Sequence, residues 1–309
     1  MQWIRDNAVP NTANTYKPYA KEFQRFCLAN NVPSSPAQNS TVSSFLIYLT
    51  QQRKLSRGTI NDVACSAIAD LHRFQDQQPQ RSVMVKEIKK AITRLTEPPK
   101  QTRPLPASVL MDIAAVSDFG DKYQLRNHFM HVLGFKAFMR RSEIANLNPD
   151  DVWLESVMID GKLTEVLFVL IQKSKTDQGR KGHTVVLARD PEDIWKCPMV
   201  LFQLYQHLAS QYPDRKGFFF NFSGANNRIT GETVNRTLKT ACARAGIPRA
   251  KYSAHCLRAG GCTAAVAQGI ELRLVARHGN WKSTAIFRYI SDSLAQKLSV
   301  SLAIEGVLM

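Results

Sequence analysis

The segment EPPKQTRPLP at residues 97–106 limits the possible folds more than any other stretch, because four prolines in ten residues exclude a helix or a central strand there. Each proline also pushes the residue before it towards extended backbone, so the segment reads as a linker, with Lys100 and Arg103 between the prolines. Whatever lies on either side must then bury a core of its own. The length of 309 residues agrees, since a single core seldom grows beyond about 250–300 residues. The expected organisation is a domain at 1–97, a linker at 98–106 and a second domain at 107–309.

The first domain reads as four amphipathic helices. Tyr16, Tyr19, Phe23 and Phe26 recur at helical spacing, and Val42, Phe45, Leu46 and Leu49 do so behind Ser40, an expected N-cap. Ile60, Val63, Ala67, Ile68, Leu71 and Phe74 mark a third helix. Val85, Ile88, Ile92 and Leu95 mark a fourth, with Lys86, Lys89, Lys90 and Arg94 on its other faces, where they form a solvated surface or a DNA contact.

Beyond the linker, helices are expected at 108–117 and 122–139. After NLNPDD at 146–151 the apolar period shortens towards two: Val152 to Leu154, Glu165 to Ile171 and Thr184 to Leu187 are separated by the turn signals DG and QGRKG. These predict a small antiparallel sheet. Helices return from about 196, one carrying Leu201, Leu204, Tyr205 and Leu208 and the next Val234, Leu238, Ala241 and Cys242, followed by helices at 254–268, 270–277 and 282–304. The fold class is therefore mainly α with a small antiparallel β-sheet.

Lys and Arg number 41 against 25 Asp and Glu, a net charge of +16. Residues 1–99 hold 13 basic and 7 acidic side chains and residues 100–309 hold 28 and 18, so no single tail explains the excess. A positive field on both domains favours an extended polyanion, because neutralised phosphates release their counterions. The six cysteines are scattered with no C-x-x-C pair, which predicts buried thiols in a reducing, intracellular setting. Neither a signal peptide nor an apolar run of membrane-spanning length is expected.

No phosphate-binding loop of the GxxxxGK[ST] type is present, and Asp150, Asp151 and Glu155 follow a proline in a polar joint, where turn and cap roles outweigh metal binding. No metal and no cofactor is expected. The segment KYSAHCLRAGGCTAAVAQG at 251–269 is more informative. His255 and Arg258, three apart, share a helix face and can converge on one phosphate. About thirty residues later stands RHGNWKSTAIFRYI, 277–290, with Trp281 and Tyr289. Upstream stand GFKAFMRRSEIANL, 134–147, and IQKSKT, 171–176.

The order Arg, Lys, HxxR, Trp, Tyr resembles the tyrosine recombinase or phage integrase family across the whole second domain. The helical first domain resembles the family's core-binding domain in kind. The wording RAGG and WKS…FRYI is similar to recombinases of eukaryotic mobile elements such as the Crypton and DIRS-like groups.

The resemblance implies a two-domain DNA clamp with a mixed α+β catalytic domain. It assigns Arg140 and Arg258 as catalytic arginines, Glu143 as a supporting acid and His255 as the partner on the base side. Lys175 becomes the general acid, Trp281 fills the His/Trp position and Tyr289 is the nucleophile. Arg141 and Lys173 become DNA contacts, with Lys173 an alternative to Lys175. Eight positions separate Trp281 from Tyr289, one fewer than the commonest family spacing, and His278, at eleven positions, is the rival for the Trp281 role.

Such residues suit phosphoryl transfer without a metal. Attack of a phenol on a phosphodiester builds negative charge on the nonbridging oxygens, which two permanently charged guanidinium groups can bind. The phenol must lose a proton and the departing 5′-oxygen must gain one. The implied activity is cutting, exchanging and rejoining DNA through a 3′-phosphotyrosine, by a homo-oligomer, by resemblance a tetramer, on duplex recombination sites. The protein would be nuclear if its host is eukaryotic. The other readings are a type IB topoisomerase and a recombinase-derived DNA-binding protein that no longer cuts. The tail after Tyr289, with Leu294, Leu298, Leu302 and Ile304, packs either on its own subunit or on a neighbour.

Overall fold

The computed structural model describes residues 10–97, 103–172, 182–190, 192–212, 217–222, 229–296, 298 and 299. Contacts divide the chain into two compact units, Met1–Gln101 and Thr102–Met309.

In the first unit α1 (Pro10–Ala29), α2 (Asn39–Gln51), α3 (Cys65–Leu71) and α4 (Val83–Leu95) follow in order, with a π-helical turn, Thr59–Ala64, leading into α3. Their apolar stripes meet in one core of Phe23, Val42, Phe45, Leu46, Leu49, Ile60, Ile68, Val85 and Ile92. Phe23 and Phe45 pack edge to face at 5.0 Å. Buried His72 joins the loop before α2 to α3, its Nε2 accepting from the Ala37 amide at 3.0 Å and its Nδ1 bonded to the Ile68 carbonyl at 2.8 Å.

Three local expectations differ from the structure. Gln38, not Ser40, caps α2, and Ser40 falls inside its first turn. The third helix begins as a π turn and stops at Leu71, leaving Phe74 partly exposed. Leu95 is 82% exposed because it ends α4, one turn beyond the last buried residue, Ile92. On α4, Lys86, Lys90 and Arg94 are exposed and Lys89 is half-buried, with Lys90 paired to Glu87 at 2.7 Å.

The second unit is built around α6 (Lys122–Lys136), which follows α5 (Ala107–Ala115). Leu125, Phe129, Met130, Val132, Leu133 and Phe135 of α6 are buried, as are His128 and His131. Burial drives the His131 imidazole down to about 3. After a short α7 (Arg141–Ala145) come β1 (Val152–Ile159), β2 (Lys162–Ile171) and β3 (His183–Leu187), an antiparallel sheet in the order β1-β2-β3. Asp160 and Gly161, both at positive φ, make the tight turn that the DG signal predicts. Val152 faces Val169 and Leu167 faces Leu187 in register, so the buried face of β2 joins the core. Of the QGRKG turn signal only its last residue, Gly182, at φ 72, is among the described residues.

The helices α8 (Pro198–Ser210), α9 (Gly231–Arg244), α10 (Ala254–Ala267) and α11 (Leu272–His278) follow. The helix expected at 282–304 is interrupted. It starts as a 3-10 turn, Thr284–Arg288, after which the main chain bonds sideways to α10, and helical backbone resumes at 294–296 behind Ser293, whose hydroxyl accepts from the Gln296 amide at 3.2 Å. All six cysteines are buried and free. Among the described residues no helix is long and apolar enough to cross a membrane.

The RAGG sequence explains how α10 meets α6. A Cβ on Gly260 would run into the carbonyl oxygen of Leu105, and one on Gly261 into the carbonyl oxygen of Phe135 and the ring of Phe138. Only hydrogen fits at either place. Gly261→Ala is expected to destabilise the second unit by at least about 1–3 kcal/mol, the usual cost of overpacking, read as a lower denaturation midpoint in urea.

Candidate active site

The site forms where the C-terminal end of α6, the start of α7, the first turns of α10 and the segment after α11 come together. Phe138 sits between α6 and α7 at φ 50, a left-handed conformation that bulky residues seldom adopt. Arg140 follows as the N-cap of α7. Its amide donates to Glu143 Oε2 at 2.7 Å, and its Nη1 donates to Glu143 Oε1 at 2.6 Å. Glu143 is buried, and its second oxygen lies 3.8 Å from Nη1 of Arg258. One carboxylate therefore bridges the two arginines that the sequence singles out.

Arg258 is 1% exposed, an unusual degree of burial for a cation. Its Nη1 donates to the Phe138 carbonyl and its Nη2 to the Gly279 carbonyl, the latter at 2.6 Å. Its guanidinium carbon lies 4.1 Å from the centre of the Trp281 ring and 5.4 Å from that of Tyr289. Burial, then the charge of Arg140, lowers its pKa to about 10 against the pull of Glu143. Its Nε is buried without a hydrogen-bond partner, and so is Nε1 of Trp281.

Tyr289 is half-buried at the end of the 3-10 turn, its ring 5.1 Å from that of His255 and 5.0 Å from that of Trp281. The shortened spacing between Trp281 and Tyr289 thus still brings the two rings together. His278 is engaged elsewhere: its Nε2 bonds the Lys136 carbonyl at 2.8 Å and its ring packs edge-on to Phe138. Trp281, not His278, packs against the tyrosine.

The C-terminal end of α11 sets this geometry. The Gly279 amide bonds the Val275 carbonyl, Asn280 turns at φ 53, and the Trp281 amide returns to the Ala276 carbonyl at 2.9 Å. A Cβ on Gly279 would overlap the Trp281 ring. His255 stands in the first turn of α10 with one side open to solvent. Partial burial of its ring, followed by the charges of Arg258, Arg140 and Arg141, lowers its pKa below the ordinary imidazole value.

Ile171, the last residue of β2, lines the same narrow cleft as Arg140, Glu143, Arg258 and Gly279. Lys173 and Lys175, which follow in the sequence, are outside the described residues. Arg141 is exposed and pairs with Glu232 at 2.9 Å. Asp151 is buried as the last residue of a 3-10 turn, its carboxylate accepting from the amide of the N-cap Asn148 at 2.7 Å. No group of three or more His, Cys, Asp or Glu side chains suited to a metal exists among the described residues. Sequence reasoning missed Phe138 and Gly279, whose carbonyls hold Arg258. A glycine directly before Asn-Trp was the one available signal.

One carboxylate thus joins two guanidinium groups beside a phenol, with an imidazole of lowered pKa and two buried N–H donors that have no partner, and such a set of cations can attract an anionic group. The model of the phage integrase family matches residues 105–294. No curated protein sequence matches the chain. Among solved structures, the chain is similar to XerH site-specific recombinase bound to palindromic difH substrate, at 18% identity and a TM-score of 0.64, covering 96% of this chain and 80% of that one. It is similar to the Tn1549 transposon integrase in complex with circular intermediate DNA, at 14% identity and a TM-score of 0.62, covering 97% and 96%. It is also similar to a lambda integrase dimer bound to a COC′ core site, at 15% identity and a TM-score of 0.57, covering 93% and 73%.

NMR titration of the imidazole protons is expected to place His255 below the free-histidine value of about 6.5, and Arg141→Gln to raise it by removing one of the cations. An unchanged His255 titration in the variant would show that Arg141 contributes nothing there.

Proposed function

The chain belongs to the phage integrase family and is a tyrosine recombinase, a site-specific DNA recombinase; from this premise we propose that Tyr289 is its nucleophile and that Arg140, Arg258, His255, Trp281 and Lys175 complete its active site. The observation that carries the assignment is the convergence of His255, Arg258 and Trp281 on the Tyr289 ring, the three contacts lying between 5.0 and 5.4 Å.

In this reading the Tyr289 phenol oxygen attacks a DNA phosphorus and forms a 3′-phosphotyrosyl ester while the bond to the 5′-oxygen breaks. His255, kept neutral near pH 7 by its lowered pKa, receives the phenol proton. Lys175 gives a proton to the departing 5′-oxygen. Arg140 and Arg258 offset the charge that builds on the nonbridging oxygens, and Nε1 of Trp281 donates to one of them. The ester preserves the energy of the broken bond, so a 5′-hydroxyl from a partner duplex can attack it and complete the exchange. Glu143 acts through the arginines by holding both.

Arg141, Lys173 and the α4 residues Lys86, Lys89, Lys90 and Arg94 are proposed to contact the phosphate backbone, where each cation adds to salt-dependent affinity. The wording of the motifs supports a mobile-element recombinase, with a nuclear site of action in a eukaryotic host. The lambda integrase is solved as a tetramer bound to a Holliday junction, and a tetramer on DNA is the proposed assembly here. An apolar groove of about 480 Å³ beside Phe135, Phe138, Ala264, Ile270, Leu274 and Val275 fits the apolar tail of a neighbouring copy, in which Leu294 is 83% exposed.

On a nicked suicide substrate carrying the element's own joined ends, in EDTA, wild type is expected to give a covalent adduct under denaturing conditions and Tyr289→Phe none. An adduct formed by Tyr289→Phe would overturn the assignment. Truncation after Ser293 is expected to leave adduct formation intact but to abolish assemblies larger than the DNA-bound monomer in gel filtration. An unchanged elution volume would remove the docking of the tail.

A further inference from the structure

One side chain that the proposed chemistry does not use joins the nucleophile's backbone to the helix that bears the phosphate ligands. Thr263, half-buried on α10, donates its hydroxyl to the Tyr289 carbonyl at 3.0 Å and accepts from the Ser291 amide at 3.3 Å. Both functions of the hydroxyl are thus spent on the main-chain groups that flank Ile290. The Tyr289 amide is itself bonded to the Ile286 carbonyl at 2.8 Å. The amide of Tyr289 is held by its own turn and its carbonyl by α10, which fixes the direction in which its side chain leaves the backbone.

The other end of the same helix carries His255 and Arg258. An α-helix rises about 1.5 Å per residue and is stiff over a few turns, so the five positions from Arg258 to Thr263 set a separation of about 7.5 Å along its axis. We propose that Thr263 is a positioning residue: its hydroxyl clips the Tyr289 main chain to α10 and so fixes the nucleophile relative to the phosphate that Arg258 and His255 address. The inference rests on Tyr289 being the nucleophile. Valine at this position keeps the shape and loses both hydrogen bonds, whereas serine keeps the hydroxyl.

Misplacing a reacting group by about 1 Å can cost on the order of 100-fold in rate. Thr263→Val is therefore expected to bind the recombination site with unchanged affinity while forming the covalent adduct about 10–100-fold more slowly in single turnover, and Thr263→Ser to recover most of the rate. A second measurement separates positioning from general damage. Hydrogen peroxide, supplied to Tyr289→Phe, is a small nucleophile that attacks the bound phosphorus, loses its proton to a base and expels the protonated 5′-oxygen without the phenol. The double variant Thr263→Val/Tyr289→Phe is expected to support this cleavage at the rate of Tyr289→Phe alone.

Adduct formation by Thr263→Val at the wild-type rate would overturn the proposal. So would an equal fall of the peroxide reaction, which would mean that the whole site had collapsed. Failure of Thr263→Ser to recover would also count against it. Absence of an adduct with wild type would instead refute the assignment of Tyr289 beneath it.

Discussion

The site depends on burying the guanidinium of Arg258. A cation at 1% exposure is tolerated only where polar partners replace its water, and removing one partner of a buried ion pair costs about 3–5 kcal/mol. Here the replacement comes from two backbone carbonyls and one carboxylate, at Phe138, Gly279 and Glu143. Each partner imposes a condition on the chain. For the Phe138 carbonyl to face inward, that residue adopts a left-handed backbone, a strain of about 1–3 kcal/mol for a bulky side chain. Gly279 can supply its carbonyl only without a Cβ, because the Trp281 ring fills that space. Glu143 is held in place by capping the Arg140 amide. The bare faces of Gly260 and Gly261 let α10 come close enough to α6 for these bonds to form.

These conditions explain which parts of the molecule were legible in the sequence. Elements defined by repeated burial were readable, since Phe45, Leu46 and Leu49, or Leu167 and Val169, report directly on the side of the chain that faces a core. Readability failed at element ends. Leu95 fits the period of α4 yet sits one turn past its neighbours, and the choice between Gln38 and Ser40 as a cap depends on where the loop arrives. The apolar spacing across 282–304 suggests a helix, but spacing does not reveal that Thr263 captures the main chain of Tyr289 and Ser291. In the site, side chains in ordered motifs were legible. The carbonyls of Phe138 and Gly279 were not, since any residue carries a carbonyl and only geometry distinguishes these two.

His278 and Trp281 show how the structure resolves an ambiguity of spacing. Both lie at the C-terminal end of α11, and both could answer to a His/Trp position. The cap of α11 turns the chain at Asn280, so the side chain before the turn faces α6 and the one after it faces Tyr289. His278 thereby anchors the loop to the Lys136 carbonyl, and Trp281 stacks over Arg258. The same loop positions Gly279, so the anchor, the carbonyl and the indole form one mechanical unit.

The short path from Trp281 to Tyr289 follows from the same logic. A 3-10 turn rises about 2.0 Å per residue against about 1.5 Å for an α-helix, so the five residues Thr284–Arg288 gain about 2.5 Å over the same number in an α-helix. That exceeds the rise of one α-helical residue, which is the length missing from the spacer. A tighter winding thus compensates for the lost position. The turn ends at Tyr289 and helical backbone resumes only at 294, and between them the Tyr289 carbonyl and the Ser291 amide bond to the hydroxyl of Thr263.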